Sequence, residues 1–262
     1  MKIDYQALSI ITFLLISNVS LATSCHKEIS RLENICGVAT KEITSTTQLP
    51  ASIVFAIKNN EINVQLTPPT DKQYSHYLGI LKKALEKYPV DILRKHLNQI
   101  NIGGRYQKNG GVVVGLYDKK NIYLFYNHPD GDNSDTFLEQ SFHHELSSIF
   151  IYAYDFPAFE WLELNPQEFS YIINPTKIDQ YMDSIESYQA SPEQLKQGLV
   201  SSYGMANAEN DINSYVELIF TRPKKMRILI DKYPIINTKY NMIKSFYISI
   251  SPDFNVVFSA IK

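Results

Sequence analysis

His143-His144-Glu145-Leu146-Ser147-Ser148 is the stretch on which the reading of this chain turns. In a helix of pattern H-E-x-x-H, two imidazoles four residues apart leave one face and can close on a single metal ion. Here the first imidazole is His144, Glu145 follows it, and the second place is Ser148. His143 lies one residue back, about 100° round the helix. The stretch is therefore half of a metal-binding pair. A cap at Ser134 or Asp135 predicts that its helix runs to about residue 152.

Working outward, residues 112–117 and 121–126 read as strands around the turn Asp118-Lys119-Lys120, so the motif helix follows a strand pair. The glycine-rich stretch 103–111 before them predicts a hairpin loop. It contains neither G-x-G-x-x-G nor G-K-[ST], which removes the phosphate-cradle reading. Alternation at Ile53, Phe55, Ile57, Ile62 and Val64 predicts two short strands across Lys58-Asn59-Asn60-Glu61. Residues 72–87 have helical spacing through Tyr77, Leu78, Leu81 and Leu85, with Pro89 as the stop; a short helix over 91–97 and a strand over 99–102 follow. Beyond the motif, residues 156–171 hold the single tryptophan, Trp161, and the polar stretch that follows, to about residue 197, reads as loop. Helices are predicted over 209–220, ended by Pro223, and over 224–233 and 238–248. The predicted fold class is α+β: one domain over 53–262, a small mixed sheet packed on the motif helix, then a mainly helical C-terminal half.

The chain has 262 residues, 44% of them hydrophobic and 20% charged, with a formal net charge of -2, the composition of a folded globular protein. Its Lys and Arg residues are scattered and not in excess, which argues against nucleic acid as a partner. At the start, Lys2, the apolar residues 7–16 and Ser20-Leu21-Ala22 predict a signal peptide over 1–22 cleaved after Ala22. Export to the periplasm or the medium follows, and with it an oxidising compartment. Cys25 and Cys36 are then expected to form one disulfide within an N-terminal extension over 23–52. No membrane attachment of the mature form is expected unless Cys25 is lipidated, and Ala22-Thr23-Ser24 lacks the large aliphatic residue such a signal carries.

One order of elements ties the motif to the second half: a His-Glu helix, a Trp161 to Asn165-Pro166 segment, Ser202-Tyr203-Gly204, then an acidic helix with Glu209, Asp211 and Glu217. This order, over about residues 72–220, resembles the lethal-factor-like zincin metallopeptidases and a group of exported bacterial zinc-binding metallopeptidases with a His-His-Glu-x-Ser-Ser helix. The resemblance implies a zincin-like fold, zinc as cofactor and a peptide or protein substrate. It implies His144 as first zinc ligand, Glu145 as general base, Tyr203 as donor to the oxyanion, and Glu217 as the carboxylate supporting a ligating histidine.

Two positions depart from the pattern, Ser148 where a histidine is expected and Asn213 where a glutamate is expected. His143, His128, Glu209, Asp211 and Glu217 are the side chains available to substitute. Two functions compete: a zinc hydrolase of peptide bonds, or an inactive descendant that binds a peptide or protein in the same cleft, adding a strand to the edge near residues 112–117.

Overall fold

A computed structural model describes residues 37–126, 134–184 and 188–261. The predicted signal peptide, Cys25, Cys36 and His128 lie outside the described residues.

The main sheet has four strands in the order β1 (Ala39–Glu42), β3 (Gln99–Gly103), β7 (Asn121–Phe125), β6 (Gly115–Asp118). The first three run parallel; β6 lies at the edge, antiparallel to β7. A second, antiparallel sheet joins β2 (Val64–Leu66), β4 (Tyr106–Lys108) and β5 (Gly111–Val112). The β4–β5 turn uses Asn109 (φ 51°) and Gly110 (φ 85°), the two consecutive positive φ values of a tight hairpin. β1 falls in the stretch 23–52 read as an extension, yet its register with β3, Ala39 to Gln99 through Glu42 to Ile102, makes it part of the main sheet.

Residues 53–57 correct the sequence expectation of a strand. They belong to a helix, α1 (Ala51–Lys58). Ile53, Val54 and Ile57, at helical spacing, pack on a small core of Ile43, Leu49, Tyr106, Tyr123 and Phe125, while Phe55 is left 64% exposed. A strand would have put Phe55 on the same face as Ile53 and Ile57. The helical packing of three residues decides against it.

Helix α2 (Asp71–Leu85) begins at a capping box between Thr70 and Gln73 and closes at Glu86, and α3 (Val90–His96) starts after Pro89 at its N-cap position. The motif helix, α4 (Asp135–Ala153), is capped by Ser134, which accepts from the Phe137 N–H. Its apolar face, Leu138, Phe142, Leu146, Ile149 and Phe150, enters the main core. The tryptophan segment holds a short helix, α5 (Ala158–Glu163), and the stretch expected to be loop contains two more, α6 (Pro175–Ser184) and α7 (Pro192–Lys196). Then come α8 (Ala208–Thr221), α9 (Pro223–Lys232), α10 (Pro234–Ile250) and α11 (Asn255–Ser259). Pro223 opens α9 in its first turn, where proline has no N–H to lose. Among the described residues, no helix is long and apolar enough to cross a membrane.

Candidate functional site

Helices α4 and α8 pack side by side, and Ser147 and Ser148, both fully buried, are small enough to allow the approach. Residues four apart share a helix face, and here each helix offers three such residues to the other. His144 Nδ1 meets Glu217 Oε1 at 2.6 Å, Asn213 Nδ2 donates to Ser148 Oγ at 2.8 Å, and the Tyr152 hydroxyl donates to Glu209 Oε2 at 2.9 Å. Numbers rise along α4 as they fall along α8. The two helices thus run in opposite directions, joined by a three-rung polar ladder.

The upper rung sets the Glu217 carboxylate against the His144 imidazole. Burial alone would lower the His144 imidazole, but the Glu217 carboxylate against it, with Glu145 and Glu209 nearby, raises it to about 9. The same bond assigns the Nδ1 proton to the Glu217 side and leaves Nε2 without a partner among the described residues. Tyr203, in the 3-10 turn Ser202–Met205, lays its ring beside His144 with centroids 5.7 Å apart. Burial, and then the charge of Glu145, pushes its phenol up, so it stays a neutral donor. No hydrogen-bond partner of its hydroxyl is found among the described residues. Ser202 is held apart from Tyr203 by its own bonds to Gln189 O and Gln194 Oε1.

Glu145 faces the other way across the cleft, toward the edge strand. A Cβ on Gly115 would collide with its carboxylate, so glycine at that position of β6 is what admits the side chain. Glu145 is only 7% exposed and has no hydrogen-bond partner among the described residues. Burial, with Glu209 and Glu217, pushes it up to about 7 against the pull of His144. His144, Glu145, Tyr203 and Glu217 are therefore brought together as the sequence suggests.

The other expected ligands are not. His143 is fully buried on a different side of α4, between the Tyr88 hydroxyl (2.7 Å to Nδ1) and Glu139 (3.3 Å to Nε2), and packs at tilted angles against the rings of Tyr88, Phe142 and Phe220. Burial lowers it to about 4 in spite of Glu139. It is a neutral core histidine. Asp211 lies two residues from both Glu209 and Asn213, about 200° round α8 from the ladder. There it accepts from Lys239 Nζ at 2.7 Å, the Tyr171 hydroxyl at 2.7 Å and Trp161 Nε1 at 3.1 Å, in a wholly buried cluster. Its role is to compensate a buried lysine.

Glu209 joins a contact that sequence reading missed. Its Oε1 accepts from the Tyr117 hydroxyl at 2.9 Å, and the Tyr117 and Tyr152 rings stack. Because Tyr117 stands on β6 and Glu209 on α8, the carboxylate joins the edge strand to α8 across α4. Nothing local in the sequence signals this, since the three residues come from three separate elements.

The chain matches no protein-family model and no curated protein. Its structure is similar to that of a "putative zinc-binding metallo-peptidase" from Bacteroides caccae, with a TM-score of 0.56 and 17% identity over 92% of this chain and 91% of that one. The chain has a metallopeptidase-like fold. At that identity the likeness concerns the fold alone.

Whether this site suits zinc is decided by its donors. Ser148 Oγ is engaged by Asn213, and Asn213 Oδ1 is a buried acceptor with no donor. A cation there would meet one imidazole nitrogen and one neutral amide oxygen. Among the described residues, no group of three or more His, Cys, Asp or Glu could hold a metal ion. Neutral oxygen donors lack the charge and softness of a tight zinc site, so the residues do not fit zinc.

Proposed function

We propose that this protein is an exported, metallopeptidase-like protein that binds an extended peptide in the cleft between β6 and α4 without hydrolysing it through zinc. The observation that carries the proposal is the Ser148–Asn213 hydrogen bond, which occupies both positions where further ligands are expected. The edge strand supports the peptide-binding half. One side of β6 pairs with β7, and among the described residues no strand pairs with the other, so its backbone groups can accept an added strand. A donor role for Tyr203 toward a bound carbonyl is supported by its ring lying beside His144 and by its hydroxyl having no hydrogen-bond partner among the described residues. Export rests on the segment from Lys2 to Ala22.

Zinc-dependent peptide hydrolysis is the second reading. The His144–Glu217 bond favours it, because a carboxylate on the far nitrogen is how metal-binding histidines are oriented. One preparation tests both: zinc measured by plasma emission on the purified mature protein, and cleavage of a mixed peptide library followed by mass spectrometry. The proposal expects no stoichiometric zinc and no cleavage. One equivalent of zinc, lost in His144→Ala, together with cleavage abolished in Glu145→Gln, would overturn it.

A further inference from the structure

The cleft is not open along its whole length. Tyr117, two residues after Gly115 on β6, points to the same face of the sheet, and its bond to Glu209 ties the edge strand to α8 beyond the Glu145 carboxylate, which fills the place of a Gly115 Cβ. Tyr152 donates to the other oxygen of the same carboxylate, which fixes the closing group from α4 as well. An extended chain lying along β6 over Glu145 therefore has to begin or end at Tyr117.

Which end it presents follows from direction and charge. β6 runs from Gly115, beside Glu145, to Tyr117, beside Glu209. A peptide paired antiparallel to β6 runs the opposite way and places its first residue at Tyr117. A parallel one would place its last residue there, with a carboxylate facing Glu209 and Glu145. The basic residue nearest in sequence, Lys119, lies beyond Tyr117, on a shallow depression shared with Ile149, Tyr152 and Ala153. Glu145 adds an independent sign of what is missing. It belongs to a residue only 7% exposed, set against the edge strand, and its carboxylate oxygens keep solvent contact and take no donor among the described residues. An ammonium group brings three N–H donors and a positive charge.

We infer that the cleft takes an extended peptide by its free amino terminus, antiparallel to β6, with the terminal ammonium between Glu145 and the Tyr117–Glu209–Tyr152 closure. This rests on the peptide-binding reading above. The test uses the mature full-length chain and two mixed hexapeptide pools, each labelled with a fluorophore on a C-terminal lysine, one with free amino termini and one acetylated. Fluorescence anisotropy should show the free pool binding at least tenfold more tightly. In Tyr117→Phe, which removes one hydroxyl, and in Glu209→Gln, which removes the charge, that preference should fall below threefold, with circular dichroism unchanged. Equal binding of the two pools overturns the assignment of the terminus and leaves peptide binding standing. Failure of both pools to bind overturns the peptide-binding reading and this inference with it.

Discussion

Asn213 donates its amide N–H to Ser148 Oγ across the interface of α4 and α8, at 2.8 Å and out of contact with solvent. The amide and the hydroxyl attract, so this helix pair closes without a metal.

Breaking the pair has a measurable cost. Asn213→Ala leaves the Ser148 hydroxyl buried without its donor and is expected to lower stability by about 1–3 kcal/mol, the range for an abandoned buried polar group. Urea denaturation of the two single variants and the double variant completes a cycle. A coupling energy near zero would show that the bond contributes nothing.

The inverse change should create what the wild type lacks. Ser148→His with Asn213→Glu places a second imidazole four residues after His144 and a carboxylate opposite it. The double variant is expected to retain about one equivalent of zinc through dialysis, measured by plasma emission, and each single variant much less. Equal retention by the wild type would refute the account of the ladder.

His144 and Glu217 give a stability contribution with a defined pH window. His144 rises from its ordinary value near 6.5 to about 9 in the folded chain. A raised imidazole contributes fully below 6.5, and the contribution is lost as pH climbs through 9. Glu217→Gln should therefore destabilise by up to roughly 3 kcal/mol at pH 6 and by much less at pH 9.5. Thermal melts at the two pH values decide, and an equal loss at both would contradict the ion pair.

Glu145 works in the opposite sense. Its folded value of about 7 lies above the ordinary 4.5, so the native state favours the protonated form and loses stability as pH rises from 4.5 through 7. Glu145→Gln removes that penalty. At pH 8 it is expected to be more stable than wild type by about 1–3 kcal/mol, with little difference at pH 4.5. A variant less stable at pH 8 would mean that the carboxylate has a partner.

Lys239 and Asp211 should behave as a unit. Either Lys239→Met or Asp211→Asn alone leaves one group of a fully buried pair uncompensated and should cost about 3–5 kcal/mol. The double variant should recover part of that loss, again read by urea denaturation. Additive losses would argue against the coupling.

Parts of this molecule could be read from the chain because their signals are local. Ser134 as cap and the apolar spacing of α4 need only helix geometry, whereas Glu217 beside His144, 73 residues away, is expected only from the family resemblance. What escaped depends on contacts distant in sequence. Asp211 could be mistaken for a ligand because its counterion, Lys239, is 28 residues away on another helix. His143 and His144 are adjacent letters, yet one faces the core beneath Tyr88 and the other faces α8. Residues 53–57 satisfy a strand pattern and a helix pattern together, and only the small core under α1 chooses between them.

Trp161 is the single tryptophan in the chain, fully buried, with Lys239 Nζ 4.7 Å from its ring centre and its indole N–H on Asp211 of α8. All indole fluorescence therefore originates at one place, on the side of α8 turned away from the ladder. A shift in that emission is an inbuilt optical gauge of how α8 is seated, usable without any label and independent of whatever occupies the cleft.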